Sequence, residues 1–124
     1  MTPSKSSYDR LTLPWPPKEL SLNYSGHWAP RAAAVKKYRF AVKILALQAK
    51  WQLPEEGKIY LEVEFYPPDN RKRDKDNMQG AFKAGQDGLA DAWGINDNLI
   101  DCTYKISEQK LGMIKVRLLG GGTK

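Results

Sequence analysis

Apolar and polar positions alternate most cleanly between Lys58 and Tyr66, where Ile59, Leu61, Val63 and Phe65 point one way and Tyr60, Glu62, Glu64 and Tyr66 the other. A period of two over this length predicts a strand with one well-buried side. Shorter alternating runs at Tyr8 to Leu13, Leu99 to Ser107 and Met113 to Leu119 predict three more strands, and Lys110-Leu111-Gly112 predicts an antiparallel hairpin between the last two. Elsewhere the period lengthens. Ala29-Pro30 opens a helix expected to reach about Gln52, because Val35, Tyr38, Val42, Leu45 and Ala49 form one stripe and proline is harmless so early in a helix. A second helix carries Met78, Phe82, Gly85, Leu89 and Ala92 on its buried stripe and Asp76, Gly80, Lys83, Asp87 and Asp91 on the opposite one. It should stop near Trp93-Gly94, where glycine supplies a left-handed cap. The expected class is α+β: a single mixed β-sheet of about four strands covered by two helices, in the order β-α-β-α-β-β.

Composition narrows the class of protein. The 124 residues suit one domain spanning 1–124, with the polar residues 1–7 and the glycine-rich residues 120–124 expected to be flexible. Hydrophobic residues make up 41% and charged residues 27%, which excludes a largely disordered chain. The apolar runs are too short to span a bilayer and the N-terminus has no apolar signal core, so no membrane association and a cytoplasmic location are expected. The lone Cys102 permits no internal disulfide and reads as a small apolar residue on a strand. Twenty basic residues against fourteen acidic ones give a net charge of +6, which favours a polyanion, and nucleic acid is the natural candidate. Lys36, Lys43 and Lys50 recur every seven residues along the first helix, and Arg71, Lys72 and Arg73 make a basic loop before the second. The loop from 18 to 29 offers Asn23, Tyr24, His27 and Trp28, which suit base stacking, while Trp15 and Trp28 suit closure of the core edge equally well.

The chemistry concentrates between Arg71 and Asp97. Asp74 and Asp76 are two apart just ahead of the periodic segment, so in extended backbone their carboxylates leave the chain on the same side. Such a pair suits a hard divalent cation such as Mg2+, which takes carboxylate oxygens and keeps several waters. The same residues also fit ordinary helix capping, and Lys83 with Asp87 fits a solvent-facing i,i+4 pair. The residues alone leave both readings open.

Two segments decide how they are weighed: Leu13-Pro14-Trp15-Pro16-Pro17 after the first strand, and Arg73-Asp74-Lys75-Asp76-Asn77 before the central helix. In these segments and in the order of its elements, from about Tyr8 to Leu119, the chain resembles the RusA family of Holliday junction resolvases. The resemblance implies a metal-dependent endodeoxyribonuclease that makes paired symmetric nicks in four-way DNA junctions during recombination and repair. It implies that Asp74, Asp76 and Asp97 hold Mg2+ and that a lysine assists. The family's lysine position is Gly80 here, so Lys83, on the same face and followed by Asp87 and Leu89, takes that role; the family's third acidic pair reads Asn96-Asp97. Arg71, Lys72, Arg73, Lys36 and Lys43 are then the expected DNA contacts. One chain carries one candidate site, and two symmetric nicks imply a homodimer, which is also the state the resemblance implies. The alternative from another class is a non-catalytic basic nucleic-acid-binding module.

Overall fold

The computed structural model describes residues 10–21, 24–51, 53 and 57–121. Its strands are β1 (Arg10–Pro14), β2 (Ile59–Tyr66), β3 (Ile100–Ile106) and β4 (Met113–Gly121), and its helices α1 (Trp28–Ala49), α2 (Lys75–Ala81) and α3 (Lys83–Trp93), with single 3-10 turns at Lys18–Leu20 and Asp97–Leu99. The class is α+β with one mixed four-stranded sheet, as expected. The strand order is β1-β4-β2-β3: β4 runs antiparallel to both β1 and β2, while β3 runs parallel to β2.

The inward face of the sheet follows from the alternation. Ile59, Leu61, Val63 and Phe65 are almost wholly buried and share one core with Ile114 and Val116 of the adjacent β4 and Leu13 of β1. The helices close this face with Tyr38, Val42, Phe82 and Leu89. The outward side chains are charged and joined across strands: Glu62 pairs with Arg117 at 2.9 Å and with Lys105 at 3.6 Å. Cys102 is half-buried on β3, where burial pushes its thiol up to about 11.

Four expectations need correction. The hairpin between the last two strands does not form, because β2 lies between them. The strand with the most completely buried face takes the centre, and the connection from Ser107 to Gly112 passes across its end, with Ser107 N donating to Phe65 O at 2.8 Å and Gly112 N to Pro67 O at 3.3 Å. Gly120 and Gly121, expected in a flexible tail, instead continue β4 opposite Tyr60 and Ile59, after an irregularity that leaves Leu119 out of register. The first helix ends at Ala49, with Lys50 in the left-handed conformation, short of Gln52, which lies outside the described residues. The central helix is two helices, α2 and α3, separated at Phe82 (φ −90, ψ 0). The break is slight: Phe82 N still donates to Met78 O, and Gln86 N to Phe82 O, both at 3.0 Å, so the two stripes survive. Residues 1–7 also lie outside the described residues.

The approach of α3 to α1 sets up the candidate site. A Cβ on Gly88 would stand 2.4 Å from Arg39 O and 3.0 Å from Val42 Cβ, so a glycine is what lets the two backbones meet there.

Candidate active site

Asp74 is the N-cap of α2. Its backbone is extended (φ −111, ψ 165) and its Oδ1 accepts from Asn77 N at 2.8 Å, satisfying one of the amide donors that a helix start leaves open. Asp76 is already inside the first turn and is exposed. The two carboxylates therefore do not share a stretch of extended backbone, and alternation does not set their relative direction. The helix begins one residue after Asp74 because the Asp74 cap and the Met78 N to Asp74 O bond, 3.1 Å, close the first turn at once. The Asp76 carboxylate makes no hydrogen bond or ion pair among the described residues.

Lys83 opens α3, at the end of a helix where the dipole disfavours a cation. Two carboxylates offset that cost. Its Nζ donates to Asp87 Oδ1 and to Asp97 Oδ2, each at 2.8 Å. The first is the expected i,i+4 pair; the second spans fourteen residues. Asp97 gets there because Gly94 caps α3 in the left-handed conformation and Ile95 N donates to Ala90 O at 3.1 Å, turning the chain back along the helix. The Asp87 and Asp97 hydrogen bonds raise Lys83 above its ordinary range, and the Lys83 ammonium holds Asp97 below its own.

Sequence reasoning missed the second cation of this cluster. Arg39 of α1 grips Asp91 through two hydrogen bonds, 2.6 Å from Nε and 2.8 Å from Nη2, and lies 4.0 Å from Asp87. The Arg39 hydrogen bond lowers Asp91, and the same bond raises Arg39. Together Arg39, Lys83, Asp87, Asp91 and Asp97 line an open recess of about 350 Å3. The available signal was Asp87 with Asp91, two acids one turn apart, which repel unless a cation stands nearby.

The structure thus brings Lys83 and Asp97 together, and it does not add Asp74 and Asp76 to them. Among the described residues no three His, Cys, Asp or Glu side chains converge as a metal-ligating group. Of the basic loop, Arg73 lies over the Trp15 ring, 5.4 Å from its centroid, and donates to Asp69 Oδ1 at 2.8 Å, while Arg71 and Lys72 are exposed. On α1, Lys36 is exposed and Lys43 half-buried. Trp15 does close the core edge, perpendicular to Phe65 at 6.3 Å, whereas Trp28 is left exposed. His27 caps α1 without a side-chain bond, and Asn23 lies outside the described residues.

No family model matches the chain. A protein of Xylella fastidiosa (strain Temecula1 / ATCC 700964), described as an uncharacterized protein, is 48% identical to it over 90 residues. The match covers 70% of this chain and 59% of that relative, so the chain spans little more than half of the relative's length. Among the described residues no helix is long and apolar enough to cross a membrane.

Proposed function

We propose that the chain is a RusA-like, Mg2+-dependent endodeoxyribonuclease that nicks four-way DNA junctions. The observation that carries the reading is the 2.8 Å contact between Lys83 and Asp97. Both residues fall at or near functional positions of the family motif, and they meet although fourteen residues separate them. The resemblance in the two motif segments supports the same reading.

The Asp74 and Asp76 carboxylates are donors of the type a hard cation takes. Asp74 spends Oδ1 on its cap, Asp76 is exposed, and Asp97 Oδ2 faces Lys83. Asp74 and Asp76 would hold the ion with water completing its shell, while Asp97, which does not converge with them among the described residues, stays with Lys83. When bound, Mg2+ supplies charge neutralisation at the phosphate and a more acidic water. The protein's own part is electrostatic. Lys83, held charged by Asp87 and Asp97, is a fixed cation for the charge that develops on the phosphoryl oxygens and cannot act as a base near neutral pH. Arg71 and Lys72 meet the flanking phosphates, which fixes position without reading sequence.

The Asp74 cap and the mutual neutralisation of Lys83 and Asp97 also favour the second reading, a non-catalytic basic module that binds nucleic acid. One experiment separates them. A synthetic four-way junction is incubated with Mg2+ and wild-type protein, Asp74→Asn or Asp76→Asn, and nicking and binding are read in parallel. The nuclease reading expects nicking by wild type only, with binding equal or tighter in the variants, since loss of negative charge cannot weaken phosphate contacts. Junction binding without any nick by the wild type would leave the module; undiminished nicking by either variant would remove its carboxylate from the site.

A further inference from the structure

A larger cleft is bordered by the basic loop. It encloses about 640 Å3, a size that takes organic ligands. Trp15, Tyr24, Pro16, Pro17 and Pro68 give it flat or rigid walls, and the buried Met78 and Ala81 give it an apolar floor. Lys18, Arg71, Lys72 and Arg73 border it, against the single acid Asp69.

The Trp15 wall is fixed in advance. Phe65 meets the ring at 84° and 6.3 Å, and the Arg73 guanidinium covers it at 5.4 Å. Arg73 is in turn held by Asp69 Oδ1 at 2.8 Å and by Arg71 O at 3.1 Å, which leaves its side chain only 15% exposed. The Arg71 side chain, whose Nε lies 3.6 Å from Asp69 Oδ2, is still 83% exposed and open to an incoming anion. A fixed aromatic and guanidinium surface beside exposed cations is the combination that holds a base by stacking and its phosphate by charge. A base within a duplex has its faces covered by its stacked neighbours, so an unpaired base is what such a wall takes.

We propose that this cleft binds one unpaired nucleotide of a DNA strand, its base against Trp15 and Tyr24 and its phosphate against Lys18, Arg71 and Lys72. The choice of DNA rests on the nuclease reading. The cleft also touches Asn77, whose amide Asp74 caps, so the nucleotide held there would sit next to the strand presented to Asp74.

The test is binding in EDTA, with no cleavage possible, of a short oligothymidylate carrying one 2-aminopurine and of the matching duplex. The wild type is expected to bind the single strand and quench its fluorescence by stacking, with the duplex unquenched. Tyr24→Ala should weaken binding about 10-fold and restore fluorescence. Lys18→Glu should weaken binding and flatten its salt dependence while keeping the quench. Equal affinity for single strand and duplex with no quench, or variants that bind like wild type, would overturn the proposal whatever the junction assay shows. Quenched binding by a protein that nicks nothing would instead overturn the nuclease reading and leave the cleft standing.

Discussion

Gly88→Ala is the sharpest test of how α3 is held over the candidate site. The added methyl would lie 2.4 Å from Arg39 O, 3.0 Å from Val42 Cβ and 3.2 Å from Lys43 N. An ordinary carbon–oxygen contact is about 1 Å longer than the first of these, and two of the three atoms are main chain in the middle of α1, so no side-chain rotation relieves the clash. The helices must part, and the fully buried Val42 and Leu89 lose contacts when they do. Overpacking of this kind costs about 1–3 kcal/mol, and a clash with backbone belongs near the upper end. Exchange of a mid-helix glycine for alanine returns about 1 kcal/mol of propensity. The net expectation is a loss of about 2 kcal/mol, or roughly 8 °C in Tm for a chain of this length. Circular dichroism melts of wild type, Gly88→Ala and Gly94→Ala would measure it. Gly94 has open space around it and φ +65, so its alanine variant isolates left-handed strain, about 1–2 kcal/mol. A Gly88→Ala protein that melts higher than wild type would show that propensity wins and that α1 and α3 do not meet as described.

Other consequences are more local. Lys83→Ala should abolish nicking while the protein stays folded; wild-type nicking with unchanged Mg2+ dependence would move the role to Lys75, since Lys105 is committed to Glu62 on the outward sheet face. Asp97→Asn should flatten the acid limb of the stability profile: Lys83 depresses Asp97, so that pair's contribution is present above the ordinary carboxylate range and is lost as pH falls through the depressed value. The Lys83 contribution has the opposite sense, present below the ordinary lysine value and lost as pH rises through the raised one, and urea midpoints that follow wild type at both extremes would contradict the pairing. Tyr38→Phe removes the 2.7 Å bond to Pro14 O and should cost about 1 kcal/mol in urea unfolding, with no loss if solvent replaces the donor. The homodimer expectation predicts a light-scattering mass near twice 14.1 kDa, reduced by Phe40→Glu on the exposed outer side of α1, and a 14.1 kDa species at concentrations that give paired nicks would refute it.

What could be read from the chain is what a period records. Ile59, Leu61, Val63 and Phe65 are legible because a strand buried on one face must alternate, and Met78, Phe82 and Leu89 because a helix buried on one face must repeat near 3.6. A period says nothing about neighbours. The residues from Ser107 to Gly112 could close a hairpin or cross the end of β2, and the choice belongs to the whole sheet: β2 has hydrogen-bonding groups to pair on both edges, so β4 and β3 take one edge each. The candidate site divides in the same way. The Asp74 cap is local, written in an acid three residues ahead of the amide it receives, and was open to sequence reading as a capping alternative. The Lys83–Asp97 contact is not local. Gly94 announces that the helix ends, but the direction taken afterwards depends on Ile95 N finding Ala90 O and on Lys83 needing a second carboxylate at an unfavourable end of α3. Arg39 was hidden for a related reason. It lies among many basic residues of α1, and only the close approach at Gly88 singles it out by bringing it against Asp91. Charge along the chain therefore marks which residues can pair, while the small residues that let backbones approach decide which of them do.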